Sequence, residues 1–366
     1  MIMQMRISAL AMLTLTAIAP PAAADTLTER ANRGLVEVIT GSTAGSSVRI
    51  AEDLADVLDD GATRRVLAVV GKGSLQDLMD LKALRGVDLA IVQADVLDRV
   101  KAQRQLGIDS GVTYVAKLYN EEFHLLARSD VHDIADLAGK RVNFGSQGDG
   151  TSITGPRLFD LLKIKVEATS YGQAVALEKL KSGQIAAMAF VTAKPAPLFA
   201  GVRAESGLHF LAVPLKSDMA ASYSPARLTA DDYPALAMPA PVDTVAVGTV
   251  LVVANLVPES ERYRNAASFV EAFFTQFSKL LEAPHHPKWS EVNLAAELPG
   301  WHRFAPAEAW IKRNGAAGAV AMSEDQMREI FVKFLDERSK VSGGATLSVD
   351  QKDQLFAQFK RWQDSH

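Results

Sequence analysis

The stretch TGSTAGSS, residues 40–47, stands between the apolar run Leu35, Val36, Glu37, Val38, Ile39 and a helical pattern over residues 50–58. A short apolar run bounded by glycine and hydroxyl residues predicts a buried strand, and Ile50, Leu54 and Leu58 recurring on one face predict an amphipathic helix. The loop is therefore a strand-to-helix turn. Small residues there let a backbone approach a ligand closely, and the first N–H groups of the helix, with its dipole, favour an anion.

The same grammar repeats outward. Residues 66–70 read as a strand, 74–84 as a helix and 87–93 as a strand; further on, 140–144 is a strand, 153–162 and 173–182 are helices, and 185–191 is a strand. Strand and helix alternating at this spacing predict an α/β fold with a parallel sheet covered by helices. Residues 198–241 are rich in Pro, Ser and Asp around one strand-like run at 209–213. An apolar strand at 244–253 and a helix at 263–281 then return the chain to its first half. From 284 onward a loop with His285, His286, Pro287 and Trp289 precedes helices near Ala307, over 324–335 and over 348–362, which read as a helical extension packed on the first lobe. No fixed-period repeat occurs, which excludes a solenoid.

Composition narrows the setting. Arg6 precedes an apolar segment at 7–18, and Pro20-Pro21 lead into Ala22-Ala23-Ala24. This is the pattern of a secretory signal peptide cleaved after Ala24, and the segment falls short of the ~20 residues that span a bilayer. With no cysteine, the chain has neither disulfides nor a lipid-bearing N-terminal cysteine. The expected compartment is a bacterial periplasm or its equivalent. The formal charge is −4, and loss of Arg6 with the signal leaves −5, spread without basic or acidic blocks; nucleic acid is not an expected partner. About 340 mature residues exceed one ordinary core and predict two lobes.

Four loops carry small residues: 41–47, 71–74 (Gly-Lys-Gly-Ser), 93–95 (Gln-Ala-Asp) and 145–152 (Gly-Ser-Gln-Gly-Asp-Gly-Thr-Ser). Each follows a predicted strand and opens a helix, and ligands of open α/β sheets bind at that carboxyl edge. Hydroxyl residues also cap helices and glycines also turn chains, but four such loops on one side of two lobes point to a site.

Catalytic motifs are absent. None of Ser42, Ser46 and Ser146 has glycine two residues away on both sides, as a nucleophile elbow requires. Gly71-Lys72-Gly73 has Gln76 where a dinucleotide loop has its third glycine, and no glycine precedes Lys72 at phosphate-loop spacing. The seven histidines have no zinc-protease spacing, and His285-His286 reads as a solvated loop. Carboxylates such as Glu52, Asp53 and Asp56 lie on a helix face, so no acid/base pair stands out. The expectation is holding without conversion: no enzyme, no cofactor, no metal.

The ordered series GSTAG (41–45), GSLQDL (73–78), DLAIVQAD (88–95), LYNE (118–121), DLAGKRV (136–142), GDGT (148–151) and LKSGQIAA (180–187) resembles the TAXI-type solute receptors (TRAP-associated extracytoplasmic immunogenic proteins) over roughly residues 35–257. The resemblance implies a two-lobed type 2 periplasmic binding protein, a Venus-flytrap closing on its ligand. Lobe I would take 25–117 and 241–283, lobe II 118–240, and the C-terminal extension 284–366. It also implies a small organic anion as ligand, glutamate or a related carboxylate, delivered to the membrane permease subunits of a tripartite TRAP-type secondary transporter.

Carried over by position, the resemblance assigns ligand binding to Ser42, Thr43, Ser46 and Ser47 of the first loop, Ser74 of the second, and Gln93 and Asp95 after the third strand. Lobe II would add Glu121, then Gly150, Thr151 and Ser152 as an anion cradle, and Phe190, Thr192 and Lys194 as a cleft wall. An α-amino acid would have its ammonium met by Glu121 or Asp95. Two departures stand out: Ser47-Val48-Arg49 replaces the family's Tyr-Tyr-Pro, and Lys194 replaces a small residue. Two added cations, Arg49 and Lys194, suggest a more acidic ligand, a di- or tricarboxylate. Rival readings keep the fold but serve an ATP-driven importer or a membrane kinase, place an enzyme on the scaffold, or make the chain a structural envelope protein.

Overall fold

The opening stretch forms what its spelling implies: β1 (Leu35–Thr40) leads through the glycine-hydroxyl loop into α1 (Ser47–Leu58), whose Ile50, Leu54 and Leu58 are buried. The alternation continues with β2 (Arg65–Val70), α2 (Ser74–Ala83), β3 (Val87–Gln93) and α3 (Ala94–Ala102). The computed structural model describes residues 32–104, 107, 111–319, 351 and 355. The chain divides into residues 1–33, of which 32 and 33 are described, and a unit over 34–366 that carries everything below. The signal segment 1–24 and the predicted helices at 324–335 and 348–362 lie outside the described residues, apart from positions 351 and 355.

Next comes β4 (Val112–Arg128), a 17-residue strand. The second half follows with β5 (Arg141–Asn143), α4 (Thr151–Leu162), β6 (Glu167–Thr169), α5 (Gln173–Lys181), β7 (Ala187–Thr192), β8 (Leu208–Phe210) and β9 (Ser224–Leu228). Strand β10 (Val242–Ala254) brings the chain back to α6 (Glu261–Thr275), α7 (Phe277–Leu280), a 3-10 turn at Pro287–Glu291 and α8 (Ala305–Ala319).

Among the described residues ten strands form one sheet, in the order β2-β1-β3-β10-β4-β7-β5-β6, with β8 on β4 and β9 on β10. The β1–β2, β1–β3, β5–β6 and β5–β7 pairs are parallel, as βα alternation requires. The two long central strands, β4 and β10, run antiparallel to each other and cross from one half to the other. The result is the expected two-lobed α/β Venus-flytrap arrangement. Strand β4 has no clean apolar alternation because its middle, Lys117 to Glu122, changes lobes and carries charge.

Each lobe has its own core. Val38, Ile50, Leu54, Leu89, Leu251, Phe269 and Phe273 fill the first, and Trp289, Phe304 and Trp310 from beyond residue 284 join it. Phe123, Leu125, Val142, Phe144, Phe159 and Val245 fill the second. Fully burying each such side chain contributes roughly 1.5–3 kcal/mol. At the crossing, Gly248 pairs with Asn120 but Val250 with Lys117, so Leu118 and Tyr119 both oppose Thr249. Such a bulge bends the strand and re-aims its side chains. Side chains alternate across a strand, so Glu121 and Glu122 face opposite sides of the sheet. No helix among the described residues is long and apolar enough to cross a membrane.

Candidate functional site

The two halves meet over a cavity of about 30 Å³, lined by Gly41, Ser42, Gly45 and Ser47 of the first loop, Gly73 and Ser74 of the second, and Ile91, Val92 and Gln93 at the end of β3. Glu121 and Thr249 form its floor, and Asp149, Gly150, Phe190, Val191 and Thr192 close it from the second lobe. This is room for a water or two, so any larger ligand requires the lobes to part.

Direct bonds hold the lobes together around this space. The Gln76 amide donates to the Gly148 carbonyl at 3.2 Å. The Ser46 hydroxyl and the Thr192 hydroxyl lie 3.1 Å apart, and the Ala193 amide donates to Ser46 Oγ at 2.9 Å. Asp95 Oδ2 accepts from Thr154 Oγ1 at 2.8 Å and from the Tyr223 hydroxyl at 2.9 Å. Two glycines make the approach possible. Gly73 has φ 125°, a conformation side chains rarely adopt, and a Cβ there would sit 2.7 Å from the Asp149 Cα; a Cβ at Gly150 would sit 1.9 Å from Gln93 Oε1.

Four helices start at the cavity: Ser47 opens α1, Ser74 opens α2, Gln93 precedes α3 and Gly150 precedes α4, and none of the four has a side-chain bond from its N-cap residue. Helix α6, elsewhere, is capped by Ser260. Convergent helix N-termini concentrate partial positive charge and N–H donors on one point. Carboxyls stand among these helix starts. Glu121 accepts from Gln93 Nε2 at 2.7 Å, and burial pushes its acid up to about 8. Asp149 accepts from the Thr151 amide at 2.9 Å and is pushed up to about 6 by burial. Behind the second loop, Asp77 Oδ1 accepts from the Lys72 and Gly73 amides, and burial lifts it to about 7.

Of the residues singled out from sequence, the fold brings Ser42, Ser47, Ser74, Gln93, Glu121, Gly150, Phe190 and Thr192 to the cavity wall. The others stand elsewhere. Thr43 is exposed. Ser46 and Asp95 are struts between the lobes, Thr151 Oγ1 accepts from the Val191 amide, and Ser152 Oγ donates to the Asp149 carbonyl. Lys194 Nζ is held by Asp232 at 3.0 Å and by the Arg227 carbonyl. Arg49 binds Asp53 at 3.1 Å and the Pro284 carbonyl. Neither cation lines the cavity, which removes the ground for a more acidic ligand. No Lys, Arg or His lines it among the described residues, nor do these contain a cluster of three His or carboxylate groups able to hold a metal.

Asp149 lines the cavity as well, and within a loop of hydroxyls and glycines a single acid carries no signal of its own in the sequence. Thr249 lies within an apolar strand and carried no signal. Among the described residues Phe190 is the aromatic side chain that lines the cavity.

Similar solved structures include the periplasmic binding protein BugD, 12% identical over 78% of this chain and 95% of that one, with a TM-score of 0.47. The alkanesulfonate-binding protein SsuA from Xanthomonas axonopodis pv. citri, bound to MOPS, is 16% identical over 83% of this chain and 91% of that one, TM-score 0.44. An ancestral arginine-binding protein bound to arginine is 13% identical over 68% and 97%, TM-score 0.42. The model of the NMT1-like family matches residues 38–299, well over half of the chain and every residue of the cavity wall, and the chain belongs to that family.

Proposed function

We propose that this chain is a periplasmic solute receptor that captures a small organic anion between its lobes and delivers it to the permease subunits of a TRAP-type secondary transporter. The observation that carries the reading is the meeting of glycine-hydroxyl loops from both lobes, with four helix starts, over one cavity. Such N–H donors suit a carboxylate. Two crossing strands and direct lobe-to-lobe bonds suit a clamp that opens to admit a ligand and closes on it. The TAXI resemblance supports the choice of transporter, and the pattern at residues 1–24 supports export with cleavage after Ala24. Among the described residues no imidazole lines the wall to act as a base for its serines and threonines, which favours holding over catalysis.

Native mass spectrometry of the protein purified from its own periplasm, followed by denaturation, tests this. One carboxylate released per chain is the expected result. An empty protein that also shows no thermal shift with amino acids or organic acids overturns it.

A further inference from the structure

We propose that Asp95 is a proton-sensitive latch between the lobes, so that the protein closes without solute and closes further as pH falls. The inference goes beyond solute capture, since it concerns the empty protein.

Asp95 stands in the first turn of α3, in lobe I, and is 1% exposed. It does not line the cavity. Both donors to its Oδ2 belong to lobe II: Thr154 Oγ1 of α4 at 2.8 Å and the Tyr223 hydroxyl, just before β9, at 2.9 Å. Parting the lobes therefore breaks both bonds at once and admits water to the carboxyl. Its other oxygen, Oδ1, is buried with no partner.

That one-sided satisfaction decides which protonation state suits the closed form. A carboxylate would carry half its charge on an oxygen that nothing in the closed form satisfies, and burying such a charge costs far more than burying a neutral group. A protonated acid keeps Oδ2 as an acceptor for both hydroxyls. The charged and titratable groups facing Asp95 are Arg157 of α4 and Tyr223. Arg157 favours the anion, but its guanidinium donates to Ser222 Oγ at 3.3 Å and lies 5.8 Å from the centre of the Tyr223 ring. Burial outweighs Arg157 and both hydroxyls and raises the carboxyl above its ordinary value, while the Tyr223 phenol, raised as well, stays a donor.

An open cleft returns Asp95 to water and to its ordinary value of about 4. The closed form thus binds this proton more tightly than the open form. By linkage, acidification favours closure by up to about tenfold per pH unit for this one group. The contribution is complete below about pH 4 and is lost as pH rises through the closed-form value. Solute must enter the open form, because the closed cavity of about 30 Å³ has room for a water or two. The shut fraction of the empty protein is withheld from solute, so acid slows capture.

Single-molecule fluorescence energy transfer on the full mature chain, with no solute added, tests the latch. The native chain has no cysteine, so Leu84→Cys in lobe I and Val175→Cys in lobe II, at positions 50% and 53% exposed, take one dye each. The ratio of closed to open molecules is expected to rise at least about tenfold from pH 8 to pH 5.5. Burial raises Glu121 and Asp149 too, and they share in that rise. The deciding variant is therefore Asp95→Asn, which keeps an acceptor oxygen and cannot titrate. It is expected to lose at least about threefold of the rise. Tyr223→Phe, which removes one donor and leaves the carboxyl, serves if that variant does not fold. It is expected to lower the closed-to-open ratio at pH 5.5 at least about threefold.

A ratio that does not change with pH overturns the latch, and so does an equal rise in the wild type and Asp95→Asn. Where Tyr223→Phe decides, a ratio equal to the wild type overturns it as well. None of these results bears on capture of a carboxylate, which native mass spectrometry decides separately.

Discussion

Lys288 shows how much a single residue from beyond the expected lobes contributes. Its ammonium, only 5% exposed, lies 2.6 Å from Glu122 of the crossing strand and 2.6 Å from Glu291. Burial works against that charge, yet the two glutamates hold it above its ordinary value. Glu122 also accepts from the Lys194 amide at 2.9 Å, and Glu291 from the Asn120 amide at 3.1 Å. The network therefore grips the hinge from behind while Glu121 faces the cleft. Removing one member of a buried pair strands the other, so Lys288→Met is expected to cost about 3–5 kcal/mol in urea unfolding. Adding Glu122→Gln to it is expected to recover a good part. A double mutant no more stable than Lys288→Met would refute the pairing.

The loop before α2 and the segment around Trp289 lend themselves to tests at the scale of elements. Alanine at Gly73 must adopt φ 125° and place its Cβ against the Asp149 backbone of the other lobe. Either the loop strains or the lobes part, and parting is the softer response because only a few interlobe bonds oppose it. Gly73→Ala is expected to enlarge the radius of gyration measured by small-angle X-ray scattering and to weaken ligand binding by at least about tenfold, the equivalent of one strained residue. An unchanged radius with unchanged affinity would show that closure does not depend on this contact. Trp289 is fully buried, packs against Phe273 and Phe277, and donates from Nε1 to Asp53 at 2.9 Å. Trp289→Ala is expected to lower unfolding stability by about 3–5 kcal/mol. A loss below about 1 kcal/mol would make residues 284–304 an appendage and not part of the first core.

For the whole molecule, the buried acids reverse the usual dependence of stability on pH. Glu121 is raised to about 8 and Asp77 to about 7, and burial raises Asp95 as well. A raised acid favours the folded state while protonated, so its contribution is present at low pH and lost as pH climbs through the folded value. Histidines act oppositely: burial lowers His124 to about 4, and it lowers His286, so both cost stability once pH falls below about 6.5. Between pH 8 and 6.5 only the acids count. The ligand-free protein is expected to gain melting temperature on acidification from pH 8 to 6.5, and differential scanning fluorimetry reads it directly. A flat or falling curve in that window would show that these carboxyls ionise in the folded protein as freely as in water.

Legibility in the sequence divided along the range of the interactions. The strand-loop-helix units around residues 35–58, 66–84 and 140–162 were readable, since apolar periodicity and glycine-hydroxyl punctuation are local, and the α/β class with two lobes followed from their order and the chain length. Ser42, Ser74, Gln93 and Gly150 were readable for the same reason, each being the end of a strand or the start of a helix. Strand β4 was not, because its charged centre satisfies Glu121 and Glu122 with Gln93 and Lys288, partners 28 and 166 residues away. The roles of Ser46, Asp95 and Lys194 were likewise decided in three dimensions: their bonds reach Thr192, Tyr223 and Asp232, and only the folded chain says whether a polar group meets a ligand or the opposite lobe. By itself the sequence determined which loops would gather at the sheet edge. The tertiary structure decided which polar groups the wall carries, because Glu121 and Asp149 reach it from separate elements while Arg49 and Lys194 are held by partners outside it.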